Sequence, residues 1–183
     1  MSAPRILVPL AAGFEEIEAI VPVDVWRRAG FAVTTAALAD NPVTASRQTK
    51  HVADALLPEV LDLPYDLIFL PGGRPGADNL AACQPLLRRL VRQRDENLRL
   101  AAICAAPLAL NAAGLLAGKK FTCHPTAAAD LADVKPVAER VVLDSQLLTA
   151  VAAGAAFDLA LAVVAWFAGD EAVAAVDKGL LYR

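Results

Sequence analysis

The chain has 183 residues, 57% of them hydrophobic and 20% charged, with a formal net charge of −3. That length suits one domain, spanning residues 1–183, with a sizeable core, and the charge balance gives no basis for binding nucleic acid or an anionic membrane. The three cysteines, Cys83, Cys104 and Cys123, are odd in number and lack C-x-x-C spacing, which argues against a disulfide framework and a structural zinc site; Met1–Arg5 leads straight into a strand with no signal peptide, so a reducing cytoplasm is expected.

Arg5–Leu10 predicts a first strand and Ala11–Phe14 a turn. Glu15–Ala29 predicts a helix stopped by Gly30, a residue suited to the left-handed position after a helix end. Glu15 and Glu16 are ordinary partners for the dipole at a helix start. Glu18 is different, because Pro22 has no N–H to give the Glu18 carbonyl and the helix is expected to be perturbed there. Phe31–Leu38 predicts a second strand, Ala39–Pro42 a turn, and Val43–Leu61 a mixed segment of short strands. His51, between Lys50 and Asp54, is expected in solvent. Asp66–Leu70 predicts a central strand closed by Pro71-Gly72-Gly73, where bare backbone allows either a tight turn or close approach to a ligand. A short helical turn at Gly76–Leu80 and a helix at Gln84–Asp95 follow, with Arg88, Arg89, Arg92 and Arg94 as its solvated face.

Leu100–Ile103 is uncharged and fits a strand buried on both faces. Cys104 ends it, and Pro107 suits the first turn of a helix beginning near Ala105. A thiol at a helix N-terminus meets free N–H groups and the positive dipole end, which lower its pKa. Ala101, Ala102, Ala105 and Ala106 supply the small neighbours a sharp strand-to-helix turn needs. The competing reading is a buried structural cysteine. Beyond the helix, Lys120–Cys123 predicts a short strand, Thr126–Leu131 a short helix, and Arg140–Leu143 with Leu147–Val151 a hairpin around Asp144-Ser145.

Leu147–Gly169 is apolar over a membrane-spanning length, but Asp158 near its middle would cost about 2.5–3.5 kcal/mol on insertion. A buried strand followed by a buried helix over about 155–168 explains the stretch better, and two helices finish the chain.

Strands alternating with helices predict a doubly wound, mostly parallel α/β sheet with helices on both faces and a nucleophile elbow at Cys104. Sites in such folds lie beyond the carboxyl ends of the strands, which gathers the loops after Leu10, Leu70, Ile103 and Cys123. No G-x-G-x-x-G follows the first strand and P-G-G-R-P-G-A is not a Walker loop, so nucleotide binding lacks support. A Glu18 carboxyl beyond a strand end would meet the Cys104 thiol. The helix end lowers its pKa, whereas burial and a thiolate raise it; if the latter prevail, Glu18 is a protonated donor and a usable general acid/base. His124, in F-T-C-H-P, faces such a site only if Cys123 faces away, so the two do not share a metal. The N–H groups of Gly73 and Ala105 could together form an oxyanion hole, the alternative being a simple tight turn.

G-F-E-E-I-E, P-V-D-V-W-R-R-A-G, Ser46-Arg47, Y-D-L-I-F-L-P-G-G, A-A-I-C-A-A-P and His124-Pro125 occur in order along nearly the whole chain. In these the chain resembles the ThiJ/PfpI superfamily, in the branch of the Parkinsonism-associated protein deglycase and its bacterial relatives. The resemblance implies a flavodoxin-like sandwich and a homodimer. It implies Cys104 as nucleophile, Glu18 as protonated partner, His124 as the nearby histidine, and Gly73 and Ala105 as backbone donors at the sulfur. It also implies cofactor-free chemistry on small reactive aldehydes or glycated side chains: Cys104 attacks methylglyoxal or glyoxal, Glu18 shuttles a proton, and hydrolysis releases lactate or glycolate. Two alternatives are a redox-sensing stress protein acting through Cys104 oxidation and a PfpI-like peptidase or amidase. The latter wants histidine directly after the nucleophile, where this chain has Ala105. Against the branch's usual T-S-x-G-P-G-T the chain reads T-A-V-A-A-G-A from Thr149 to Ala155, and Arg74 stands where the branch often has a small polar residue.

Overall fold

The alternation of side chains along buried strands sorts this chain into two apolar layers. The computed structural model describes residues 3–182. In chain order its elements are β1 (Arg5–Leu10), α1 (Glu16–Arg28), β2 (Ala32–Ala37), β3 (Val43–Thr44), β4 (Lys50–His51), β5 (Ala55–Leu56), α2 (Leu57–Val60) and β6 (Leu67–Leu70). There follow α3 (Gly76–Ala82), α4 (Gln84–Asp95), β7 (Arg99–Ile103), α5 (Pro107–Ala112), α6 (Pro125–Ala128), β8 (Val141–Asp144), β9 (Leu147–Ala150) and α7 (Ala156–Leu180).

Seven strands form one sheet in the order β5-β2-β1-β6-β7-β9-β8. All neighbours are parallel except the β8–β9 hairpin, and β3 with β4 makes a separate antiparallel pair. Ile6, Val8, Phe69, Ala101 and Ile103 turn to one layer, under α1 and α7. Leu7, Ile68, Leu70, Leu100 and Ala102 turn to the other, under α3, α4 and α5. Cys104, one residue past β7, packs against both layers. This is the flavodoxin-like α/β architecture. Its strand order reverses direction between β1 and β6, so the crevice beyond their carboxyl ends is where such folds place ligands.

Helix α1 runs unbroken through Pro22, contrary to the expected perturbation, and the proline is buried. Trp26 locks α1 to α7 by donating from Nε1 to the Ala160 carbonyl at 3.0 Å, with its ring edge-on to Phe69. The stretch Ala153–Leu180 is long and apolar enough to cross a bilayer by length and composition. Here it packs Leu159, Ala160, Val163 and Val164 into the core, and Gly169, at φ 78°, divides it, giving the two closing helices the sequence predicts.

Three further expectations are corrected. Lys120–Cys123 is not a strand, because its donors go to side chains: the Lys120 N–H to Asp144 Oδ2 at 2.8 Å and the Thr122 N–H to Thr149 Oγ1 at 2.9 Å. Arg89 leaves the solvated face of α4 and is 4% exposed. It donates to the Leu61 carbonyl at 3.1 Å and to Gln93 Oε1 at 2.7 Å, while Gln93 in turn donates to the Tyr65 carbonyl at 2.9 Å. His51 is half-buried, edge-on to Phe14 and 2.8 Å from the Thr49 hydroxyl.

Candidate active site

Cys104 adopts φ +63°, a left-handed conformation that a side-chain-bearing residue holds only when its surroundings fix it. They do so here from both sides: the Cys104 N–H donates to the Ala150 carbonyl and the Cys104 carbonyl accepts from the His124 N–H, each at 2.9 Å. The chain then enters α5 at Pro107. This is the sharp strand-to-helix turn read from the A-A-I-C-A-A-P run.

Bare backbone brings Glu18 to the sulfur. A Cβ on Gly72 would lie 2.4 Å from Glu18 Oε2 and 2.8 Å from Cys104 Cβ, so only glycine fits between them. Gly73 holds φ +86°, and a Cβ there would strike the Glu15 N–H nitrogen at 2.4 Å. The Glu15 N–H donates to the Gly72 carbonyl at 2.9 Å, which pins the start of α1 to the β6–α3 loop.

Glu18 is 1% exposed and its carboxyl hydrogen-bonds the Cys104 side chain. Burial pushes its pKa up to about 7, with the nearby Glu15 charge adding to the rise; contacts with Cys104 and the Gly72 and Ala153 N–H groups pull the other way. Its Oε2 is buried and has no hydrogen-bond partner. Burial, the Glu18 charge and the Glu18 hydrogen bond push the Cys104 thiol up to about 12, outweighing the Gly73 and Ala105 N–H groups. The expected lowering by the helix end is therefore overturned. The two groups behave as one pair that gives up a single proton near neutrality and holds the second far above it. The Gly73 and Ala105 N–H groups are directed at the sulfur itself.

His124 caps α6, its Nδ1 accepting from the Thr126 N–H at 3.2 Å and lying 2.8 Å from the Thr126 hydroxyl. With a lone pair on Nδ1, the neutral ring carries its proton on Nε2. Cys123 packs into the second apolar layer. Glu18, Cys104, Gly73, Ala105 and His124 all line one cavity of about 440 Å³. The sequence-based site is thus assembled in one place.

The sequence alone gives Arg47 and Thr126 no place in the lining of this cavity, whereas Ala153 belongs to the Thr149–Ala155 loop already marked as altered. The Ser46-Arg47 pair was visible but had no role. Its place comes from α1: Ser46 Oγ donates to Glu15 Oε2 at 2.7 Å, and Glu16 accepts from the Arg47 N–H at 2.9 Å and the Thr49 hydroxyl at 2.8 Å. Burial pulls Glu16 up, but those hydrogen bonds overcome it and hold the carboxyl at about 2. Among the described residues no cluster of His, Cys, Asp and Glu is suited to a metal ion.

The model of the DJ-1/PfpI family matches residues 4–166. The chain belongs to the DJ-1/PfpI family. It is 42% identical over 180 residues to Protein DJ-1 homolog A of Arabidopsis thaliana, an alignment covering 97% of this chain but 46% of that protein, so the chain spans about half of that relative. It is 35% identical over 159 residues, 86% of this chain and 84% of the relative, to the glutathione-independent glyoxalase DJR-1.2 of Caenorhabditis elegans. Its fold superimposes on the crystal structure of Drosophila melanogaster DJ-1beta with a TM-score of 0.95, at 36% identity and 100% coverage of both chains.

Proposed function

We propose that this DJ-1/PfpI protein is a cofactor-independent glyoxalase, with protein deglycase activity on early adducts as an extension of the same chemistry. The observation that carries the reading is the hydrogen-bonded Glu18–Cys104 pair, in which a carboxyl titrating at about 7 is poised to give and take a proton at neutral pH. The relative named as a glyoxalase supports the reaction class.

When the shared proton rests on Glu18, the sulfur is a thiolate steadied by the Gly73 and Ala105 N–H groups. Cys104 Sγ attacks the aldehyde carbon of methylglyoxal, a C–S bond forms, the carbonyl electron pair moves to oxygen, and Glu18 protonates that oxygen. Glu18, now a carboxylate, removes the hydrogen from the former aldehyde carbon. Through an enediol, that proton ends on the neighbouring carbon and a hydroxyl proton moves between the two oxygens. One carbon is oxidised to the acyl level as its neighbour is reduced, so no external oxidant takes part. Water then cleaves the thioester, releasing lactate and the thiolate. His124 supplies an Nε2–H donor to the substrate's second oxygen in this scheme. The protein acts as a homodimer in the cytoplasm in this reading; exposed Ile17 and Ile20, three residues apart on α1, offer apolar contacts to a second copy.

The redox-sensor reading is favoured by the same two N–H donors, which suit a sulfinate oxygen on Cys104. One set of rates separates the two. Methylglyoxal loss and lactate formation without glutathione or metal are expected in the reduced wild type, to vanish in Cys104→Ala, and to fall at least about a hundredfold in Glu18→Gln. A reduced wild type with no turnover would refute the glyoxalase assignment.

A further inference from the structure

The loop from Thr149 to Ala155, altered against the T-S-x-G-P-G-T pattern, touches both members of the reactive pair. Its Ala150 carbonyl accepts the Cys104 N–H at 2.9 Å, so it helps hold the elbow. Ala152 is extended, at φ −169° and ψ 178°, and Ala153–Ala155 then close a tight turn, in which the Ala155 N–H donates to the Ala152 carbonyl at 2.8 Å and the Ala156 N–H to the Ala153 carbonyl. Arg140 clamps that turn from outside. Its carbonyl accepts the Val151 N–H at 3.0 Å, its Nε donates to Asp158 Oδ2 at 2.7 Å, and its Nη2 donates to the Gly154 carbonyl.

Fixed in this way, Ala153 lines the cavity with Glu18 and Cys104, and its N–H, which the turn does not use, donates to the Glu18 carboxyl. Ala153 stands at the proline of the pattern, and a proline has no N–H to give. The donor is therefore an addition made by this chain. Glu18 is thinly served otherwise: Oε2 has no hydrogen-bond partner, and Gly72 supplies a second backbone donor. The other charged and titratable groups lining the cavity are Glu15, Arg47, Arg74 and His124, of which Glu15 disfavours a charge on Glu18.

Once the pair has lost its first proton, one negative charge remains to be placed on carboxyl or sulfur. Gly73 and Ala105 direct their N–H groups at the sulfur, whereas Gly72 and Ala153 direct theirs at the carboxyl. Each donor favours the charge on the group it serves. We infer that Ala153 is a positioning residue whose N–H holds the pair's single negative charge on the Glu18 carboxyl and off the Cys104 sulfur. Glu18 then stands ready as the base of the proton shuttle, and the thiolate is the minor form that attacks. This deepens the glyoxalase reading and rests on it for the use made of the base, while the placement of the charge is a property of the pair alone.

The test is the pH dependence, from pH 5 to 9, of Cys104 alkylation by iodoacetamide, read on the Cys104 peptide in the wild type, Ala153→Pro and Ala153→Val. Ala153→Pro deletes the N–H, and the extended Ala152 before it has the conformation a following proline requires. Ala153→Val adds comparable bulk and keeps the N–H. In Ala153→Pro the rate well below the inflection is expected to match the wild type, because the donor serves neither the doubly protonated pair nor the thiolate form. At pH 9 the rate should be about tenfold higher and the inflection about one pH unit higher, the effect of one hydrogen bond lost from a charged acceptor. Ala153→Val should follow the wild type. A change by one factor at every pH would mark altered access to the sulfur and overturn the proposal, as would an unchanged profile in Ala153→Pro or an equal change in Ala153→Val. The wild type gives an independent reading: its Ala153 amide proton, followed by proton–nitrogen NMR, should move downfield as the pair loses its first proton near pH 7 and should not do so in Glu18→Gln. A stationary wild-type amide would overturn the proposal without any Ala153 variant. Neither titration involves substrate, so absence of methylglyoxal turnover would strike the glyoxalase reading alone.

Discussion

The Gly72 Cα faces the Glu18 carboxyl so closely that a single added methyl would sit 2.4 Å from Oε2. The carboxyl is held against Cys104 by a wall of backbone, not by a side chain that can yield. Gly72→Ala is expected to destabilise the protein by about 1–3 kcal/mol, as over-packing of a filled site does. It should also separate Glu18 from the sulfur. Urea denaturation checks the first effect, and the Cys104 alkylation rate at pH 7 checks the second.

Glu18 also leaves a mark on stability. Its pKa rises from an ordinary 4.5 to about 7 in the folded protein, so the folded state binds more protons than the unfolded state between those values. Wild-type stability relative to Glu18→Gln is therefore full below pH 4.5, falls as pH rises through the window, and is flat above about 7. The total change is about 3 kcal/mol, in favour of the glutamine variant at alkaline pH. Denaturant midpoints of both proteins at pH 4, 6 and 8 measure it.

Thr149 belongs to the altered loop sequence yet keeps its hydroxyl, and that hydroxyl is the acceptor for the buried Thr122 N–H. Thr149→Val preserves shape and orphans a buried donor, for an expected loss of about 1–3 kcal/mol. Thr149→Ser should retain most of the stability. Thermal unfolding of the pair distinguishes the bond from the lost methyl.

Arg89 should tolerate substitution poorly although it sits in a run of surface arginines. Arg89→Ala removes the donor to Leu61 and leaves Gln93 Oε1 without its partner, for an expected loss of about 2–4 kcal/mol from unmet polar groups and lost packing. Arg88→Ala, one position away and exposed, should change stability by less than about 0.5 kcal/mol. Chemical denaturation of the two variants provides the contrast.

The parts of the fold that were legible in the sequence are those that local chemistry dictates. Uncharged runs such as Leu100–Ile103 have no solution but a doubly covered strand, and Gly30, Pro107 and Gly72-Gly73 mark stops, starts and bare turns. The elbow at Cys104 and its meeting with Glu18 follow from the same logic, because both lie beyond strand ends. What escaped depends on partners distant along the chain. Arg89 is buried because the Leu61 carbonyl is there to receive it. Lys120–Cys123 fails to pair because Asp144 and Thr149 intercept its donors. The direction of the Cys104 shift was misread because a helix end is visible in sequence, whereas depth of burial and contact with the Glu18 charge are not.

The most direct measurement of the central claim, that Cys104 and Glu18 share one proton near neutrality, is the pH dependence of Cys104 alkylation by iodoacetamide in the wild type and Glu18→Gln, read on the Cys104 peptide. The wild type should show an inflection near pH 7, where the pair loses its first proton, ahead of any rise toward the high thiol value. Glu18→Gln should lose that inflection and show one transition, shifted below the wild-type thiol value because the carboxylate charge is gone. An inflection near pH 7 that persists in Glu18→Gln, or its absence from the wild type, would contradict the account.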